Sequence, residues 1–478
     1  MKHAVRSTLA TLLVGVFGQR VLQLLSFLCI GRALGAERLG TYAQGTAVAA
    51  LVAVLAGQGV RSVMARAVAR CPGAAADLLW TSVRTRLGVG AALSVAGAGV
   101  AFATTEAPWF WTLCVLQVLP AAFDLKNLLD VAGRTRREVA LETGTALLQL
   151  VLVLAWLALG GHDLTTVAAI GLGSRTAYAL LALPAIRGLE RGAAVAADAV
   201  PRTAPGLGLA AAQGLHSILC AGDIWFVALC FGDEAAGFYA VATRFAGAAL
   251  LPSTQLARLL MPHMLHAGAG GDPRRTLAKA SRATLLVTLP MLAGGAVTAV
   301  GLCTLPGAAF AAAAPALVLA LLAGCLQHAG WQQSNALLAA GRDRAYGWTF
   351  AGPAVLHAGL FVAFGALAPT LDLTPPDAAL CGAGLAVVAH GVYCLATGWA
   401  VRDLRAGHAL PFAGVLRTSL ATGLAAALPA LLGPGPAVLP LQLTAGGITF
   451  AAWLWWLELR GRLRRFGDGL AAASGFRA

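Results

Sequence analysis

The sequence predicts an all-α integral membrane protein with about 14 transmembrane helices, and three observations predict it. Of the 478 residues, 59% are hydrophobic and only 11% charged, against about 25% charged in a soluble domain. The apolar residues fall in stretches near the ~20 residues that a spanning helix needs, with short connections between them. The basic residues alternate from one connection to the next, which is how a membrane protein encodes its topology.

Taken in order, spans 1 and 2 are 9–33 and 41–60; Lys2 and Arg6 precede the first. Span 1 is too long for a signal-peptide core and no small-residue cleavage site follows it, so it reads as retained. Arg61, Arg66, Arg70, Arg84 and Arg86 introduce span 3 (83–104), and Glu106 leads into span 4 (109–131). Arg134, Arg136 and Arg137 precede span 5 (139–160), and Asp163 precedes span 6 (165–186). Arg187, Arg191 and Arg202 precede span 7 (207–231), and Asp233 and Glu234 precede span 8 (236–262). Arg274, Arg275, Lys279 and Arg282 precede span 9 (283–304), which leads to span 10 (311–340), long enough to be tilted or broken. Arg342 and Arg344 precede span 11 (345–368), and Asp372 and Asp377 precede span 12 (378–400). Arg402, Arg405 and Arg417 accompany span 13 (413–432), and span 14 (438–458) runs into a basic tail. With the N-terminus inside, 27 of the 34 Lys and Arg residues fall on the inner side, and the outer loops hold only Arg32 and Arg38. Both termini are expected in the cytoplasm.

The net charge of +14 therefore serves topology; it is not pooled on one arm or helix, which argues against nucleic acid. Nine cysteines form no CxxC or His/Cys cluster, and most lie in apolar stretches, so neither metal nor disulfides are expected. No nucleophile–base set or phosphate loop is visible, and no cofactor is expected.

An internal repeat organises the chain. Gly35, Glu37, Gly40, Tyr42 and Ala43 recur 197 residues on as Gly232, Glu234, Gly237, Tyr239 and Ala240. Ala132-Gly133-Arg134-Thr135-Arg136 recurs at offset 208 as Ala340-Gly341-Arg342-Asp343-Arg344. Six spans is an even number, so the copies enter the membrane in the same sense, as a parallel repeat. The expected units are an N-terminal six-helix lobe (1–200), a C-terminal six-helix lobe (201–405), and two extra helices with a basic tail (406–478).

Charges sunk in the membrane are costly, about 2.5–3.5 kcal/mol each on insertion scales, and so mark functional positions. Arg20 lies about 17 Å into span 1 at the helical rise, near the midplane. Gln19, Gln23 and Ser26 share a polar stripe that Arg20 flanks. This stripe points to a lumen, with a structural ion pair as the alternative. Lys126 and Asp130 of span 4 are spaced to pair along one helix face. Arg175, Arg244, Asp124 and Asp223 are also deep, so the interior holds a small net positive charge. In span 10, His328, Trp331, Gln332 and Asn335 share a face at the spacing i, i+3, i+4, i+7. They form a candidate sugar-binding surface or a polar helix–helix contact. His216, His357 and His390 read as core histidines.

The stretch Gly31-Arg32-Ala33-Leu34-Gly35-Ala36-Glu37-Arg38-Leu39-Gly40-Thr41-Tyr42 resembles the first-loop signature of the polysaccharide-biosynthesis (O-antigen repeat-unit) flippases. The run from Asp223 through Gly232 to Tyr239, Ala240 and Arg244 resembles that family's second signature, and Met261-Pro262 its helix-ending proline. The resemblance implies the fold of the multidrug/oligosaccharidyl-lipid/polysaccharide exporter superfamily, with two six-helix lobes around a cationic cavity. It implies a bacterial inner-membrane flippase for an undecaprenyl-pyrophosphate-linked oligosaccharide, in O-antigen, capsule or exopolysaccharide assembly. A polysaccharide polymerase and chain-length machinery would be its partners. Arg20, Lys126, Arg175 and Arg244 match the cationic cavity by position, and Asp223 or Asp124 is a candidate proton carrier for coupling to an ion gradient. The rival readings are a peptidoglycan-precursor flippase, a drug/cation antiporter, and a membrane polymerase or ligase. The last is disfavoured by outer loops of about ten residues at most, short for a catalytic loop of the size such enzymes carry.

Overall fold

The computed structural model describes residues 2–57, 75–124, 135–187, 207–268, 273–404, 412–428 and 438–454. Lys126 and Asp130 lie outside the described residues. Within them the chain is helical throughout, with no strand. The first half comprises α1 (Lys2–Gly57), α2 (Ala75–Thr104), the short α3 (Pro108–Leu116) and α4 (Val118–Ala121), α5 (Thr135–Ala158) and α6 (Leu164–Arg187). There follow α7 (Leu207–Ala221), α8 (Asp223–Phe231), α9 (Asp233–Ala249), α10 (Leu251–Gly268) and α11 (Pro273–Cys303). A 3₁₀ turn (Ala308–Ala313) leads to α12 (Ala314–Ala339), then α13 (Asp343–Leu371), α14 (Pro375–Ala400), α15 (Phe412–Ala427) and α16 (Val438–Leu454).

Among the described residues eight helices are long and apolar enough to cross a membrane, or nine if the bent pair Gly214–Cys220 and Asp223–Phe231 is one crossing. The chain is a multi-span helical membrane protein. The count falls below fourteen partly because Gly15–Gly57, bent at Gly35, counts once, and because Pro108–Ala121 and Val438–Ala452 are shorter.

Lipid-facing helices show large apolar side chains on the outside: Leu159 is 87% exposed, Leu395 75% and Val95 74%. The inside is built from small residues, because between membrane helices close backbone approach replaces the hydrophobic effect as the source of cohesion. Helix α9 is the clearest case. Ala235, Ala236, Gly237, Tyr239, Ala240, Val241 and Ala242 are all buried, and the helix packs against α1, α8, α12 and α14.

The repeat is visible in the backbone. Gly35 (φ 71) bends α1, and Gly232 (φ 91) separates α8 from α9. Both need the left-handed region, which glycine enters without a steric penalty. The next repeated glycines, Gly40 and Gly237, bring α1 and α9 together. A Cβ added at Gly40 would lie 1.8 Å from the Asp233 carbonyl oxygen, and one at Gly237 would lie 1.9 Å from that of Ala36. Beside this crossing the Asp233 carboxylate accepts hydrogen bonds from Thr41 Oγ1 (2.6 Å) and Gln44 Nε2 (2.8 Å).

The ends of helices are closed by local chemistry. Asp163 stands before α6 and its Oδ2 accepts the Thr166 N–H at 2.7 Å, the geometry of an N-cap. Its Oδ1 accepts Trp156 Nε1–H at 3.3 Å. These hydrogen bonds, from Thr166 first and then Trp156, hold its carboxyl below the ordinary carboxylate range. Before α13, Arg342 makes a two-pronged pair with Asp403, at 3.0 and 2.5 Å. That pair borders an open depression of about 730 Å³ between the ends of α13 and α14, flanked by Trp348 and Trp399. Arg402 stacks 4.7 Å over the Trp399 ring.

Candidate functional site

Three arginines on three helices gather between α1, α6 and α9. Arg20 comes from α1, where its Nη1 donates to Gln23 Oε1 one turn on, at 3.1 Å. Arg244 comes from α9 and stands 5.4 Å over the Phe27 ring of α1, a cation–π contact that orients it. It lies within electrostatic range of both Arg20 and Arg175, the latter on α6. All three side chains keep accessible surface, although the surrounding helices partly enclose the Arg20 and Arg175 guanidiniums; Gln23 is half-buried and Gln19 is buried. Acidic and polar groups ring the cluster. Glu142 of α5 is in range of Arg20, while Tyr42 and Asp124 are in range of Arg175. Arg86 fixes the turn that carries Asp124 by donating to the carbonyls of Ala121 (2.6 Å) and Asp124 (3.4 Å). Like charges converge only where an anion or water screens them, and accessible guanidiniums make the strongest bonds to planar or tetrahedral oxyanions.

A second polar cluster lies on the other face of α9. Asp223 begins α8, after the 59° bend from α7, and faces the positive end of the α8 dipole. Its Oδ2 accepts from Tyr239 Oη at 2.8 Å, and its Oδ1 lies 2.8 Å from His357 Nε2. His357 is fully buried, stacked on Phe361 with ring centroids 5.0 Å apart. His390 of α14 is buried within electrostatic range of both Asp223 and His357.

The α12 stripe is arranged differently from a sugar platform. His328, Gln332 and Asn335 are buried and Trp331 is half-buried. The His328 ring is fully used, since Nδ1 lies 2.7 Å from the Gly324 carbonyl and Nε2 lies 3.0 Å from Thr254 Oγ1. A carbonyl only accepts, so Nδ1 carries the proton and Nε2 accepts from threonine. Trp331 packs between His328 and His216, at 5.9 and 6.4 Å. In this conformation the stripe belongs to the packed interior.

No family model matches the sequence, and no curated protein matches it. Solved structures do match. The chain superposes on Lipid II flippase MurJ in an inward closed conformation with a TM-score of 0.64 at 13% identity, covering 92% of this chain and 97% of that one. It matches an inward-facing multidrug resistance MATE family transporter of the MOP superfamily with a TM-score of 0.60 at 15% identity, over 84% of this chain and 96% of that one. A MOP superfamily transporter from Pyrococcus furiosus, described as having a binding pocket of reverse polarity, matches with a TM-score of 0.58 at 15% identity, over 84% and 96%. The chain shares its fold with these transporters.

Within this fold the sequence pointed to Arg20, Arg175, Arg244, Gln23, Asp124 and Asp223, and the structure brings Arg20, Gln23, Arg175, Arg244 and Asp124 into one neighbourhood. Asp223 stands apart with Tyr239 and His357. Several participants were missed. Glu142, with Glu138 one turn before it on α5 (Glu138 fully buried), has the i, i+4 spacing that could have flagged an acidic helix face. Tyr42 and Tyr239 were seen as repeat markers, and nothing in their spacing reveals that one meets arginines and the other a carboxylate. His357 was read as a lone core histidine because its partner is 134 positions away in the chain (357 against 223).

Proposed function

We propose that the chain is a flippase that carries polyprenyl-pyrophosphate-linked oligosaccharide repeat units across the bacterial inner membrane by alternating access. The observation that carries this reading is the exposed cluster of Arg20, Arg175 and Arg244 beside the closed α1–α9 crossing. A pyrophosphate is the anion that such a cluster fits, and Coulomb attraction is strong where water is confined. The sugars would lie along Gln19 and Gln23, and the polyprenyl chain would remain in lipid. The buried stripe His328, Trp331, Gln332 and Asn335 would meet sugar only after α12 moves. Lys126 belongs to the same proposed cationic set by its position in the sequence. The two six-helix lobes would rock about the site, with the Gly35/Gly232 end, which the charge pattern predicts to face outward, as the outer gate. An ion gradient would drive the cycle, with Asp223 or Asp124 as the coupling acid. The α1–α9 crossing is closed while the arginines are exposed, which suits a state that receives cargo from the cytoplasm.

Arg20→Ala and Arg244→Ala tests this reading. At normal protein level each is expected to lower surface polysaccharide at least about tenfold, the worth of one charge-assisted contact. Lipid-linked glycans should build up on the cytosolic leaflet, and Arg→Lys should recover part of the loss. Full export in the alanine variants would remove the cluster from the mechanism. The likeness to a Lipid II flippase makes a peptidoglycan precursor the second reading. Accumulation of that precursor rather than an oligosaccharide repeat unit would decide for it.

A further inference from the structure

We propose that the buried Asp223–His357 pair is a proton-binding site, and that Tyr239 transmits its occupancy to the α1–α9 gate.

The site is built rather than incidental. One carboxylate oxygen meets His357 and the other meets Tyr239, each at 2.8 Å, and nothing at the pair is exposed beyond 10%. Burying a carboxylate among helices costs several kcal/mol, and apolar residues of similar size could fill the space as stably. The groups facing Asp223 come from several of the helices packed against α8. Helix α9 presents Tyr239, α13 presents His357 and α14 presents His390. Cys220 of α7 couples to Asp223, and His216 of α7 and His328 of α12 couple to His390. Among the described residues no charged group of α1 enters this set. The pair is thus a carboxylate flanked by imidazoles, the side-chain type whose ordinary titration lies nearest neutral pH, and among the described residues it lacks the carbonyl- and carboxylate-rich shell that a hard metal cation needs.

The proton comes from water and returns to it. With Asp223 ionised and His357 neutral the pair carries one negative charge. Uptake of one proton makes it neutral, as carboxylate with imidazolium or as acid with imidazole. In the unprotonated state the negative carboxylate accepts from Tyr239 Oη at one oxygen and lies against His357 Nε2 at the other. A proton taken up by the pair cancels that negative charge, and the charge-assisted hold on Tyr239 weakens.

Tyr239 follows closely on the two residues that close the gate, Asp233 and Gly237. One face of α9 therefore touches α1 and the other touches the proton site. The repeat supports this reading. Tyr42, the counterpart of Tyr239, lies within electrostatic range of Arg175 and Arg244. Each copy of the motif thus joins the gate glycine to a polar site, one cationic and one protonatable.

The inference rests on the flippase reading only for its use in transport, and its test needs no cargo. The full-length protein in lipid nanodiscs is followed by infrared difference spectroscopy and by hydrogen–deuterium exchange over 35–45 and 233–245, corrected for the intrinsic pH dependence. Between about pH 8 and about pH 6, the range in which imidazoles titrate, the gate segments should exchange several-fold faster as pH falls. A carboxyl or imidazole protonation signal should accompany the change. Asp223→Asn and His357→Gln should each abolish both, and either variant suffices if the other fails to fold. Tyr239→Phe should keep the protonation signal and lose the gate response. Gate exchange independent of pH, or a wild-type response in both site variants, overturns the proton site. A gate response retained in Tyr239→Phe overturns the transmission. Neither outcome touches the cargo assignment, which the Arg20 and Arg244 variants test separately.

Discussion

A single missing methyl group decides how closely α1 and α9 meet. At Gly40 and Gly237 a Cβ would sit less than 2 Å from a main-chain oxygen of the opposite helix, far inside van der Waals contact, and the obstacle is backbone that cannot rotate away. Gly40→Ala and Gly237→Ala should therefore destabilise the closed crossing without harming either helix, since alanine favours helix by about 1 kcal/mol over glycine. The expected result is faster exchange at 35–45 and 233–245 at unchanged helix content by circular dichroism, together with loss of export if the chain is the proposed flippase. The glycines were legible in the sequence as a repeat, because five identities at one offset are hard to miss. Their contact was not, because spacing within a copy says nothing about how two copies face each other. Asp223 shows the same limit: its depth was readable from the apolar run around it, but Tyr239 and His357 are chosen by packing.

Helix ends carry their own chemistry. Asp163 caps α6 through the Thr166 N–H, and removing such a cap costs about 1 kcal/mol. Its carboxyl is held below its ordinary value, so its contribution is full above the unfolded-state pKa of about 4 and fades as pH falls through the lower folded value. Asp163→Asn should flatten that acid limb of the stability curve while leaving stability near neutral pH changed by less than the alanine variant does, read by thermal unfolding in detergent across pH. Element boundaries were largely legible. The breaks at Gly35 and Gly232 and the long tenth span followed from glycine and from length. The bend at Gly222 was not foreseen, since the run 207–231 reads as one span and holds three glycines, Gly208, Gly214 and Gly222, none of which marks itself in the sequence as the break.

At the scale of the whole molecule, the fold was legible because a bilayer leaves a chain few options: helices must satisfy their own backbone, and the charges must sort by side. The partition of chemistry was less so. The arginines on one face of α9 and the acid–histidine set on the other appear in the sequence merely as scattered deep charges. If the α1–α9 crossing is the outer gate, tethering it should arrest transport. A short bis-thiol reagent applied to a Thr41→Cys, Asp233→Cys double variant is expected to stop surface polysaccharide export, and removing the tether chemically should restore it. Each single variant treated alike should export near its untreated level, so that loss in a single variant would point to damage rather than to a locked gate.

Where α1 crosses α9, main chain rests on main chain. Most joints between helices interlock side chains, and each reopening obliges several rotamers to leave and then refind their slots. Bare glycine surfaces have no such teeth. Such surfaces can part and meet again without rotamers having to refind their slots, and the side chains that secure the closed crossing are Thr41 and Gln44 on the Asp233 carboxylate. A seam of this kind suits a joint that has to open and close repeatedly.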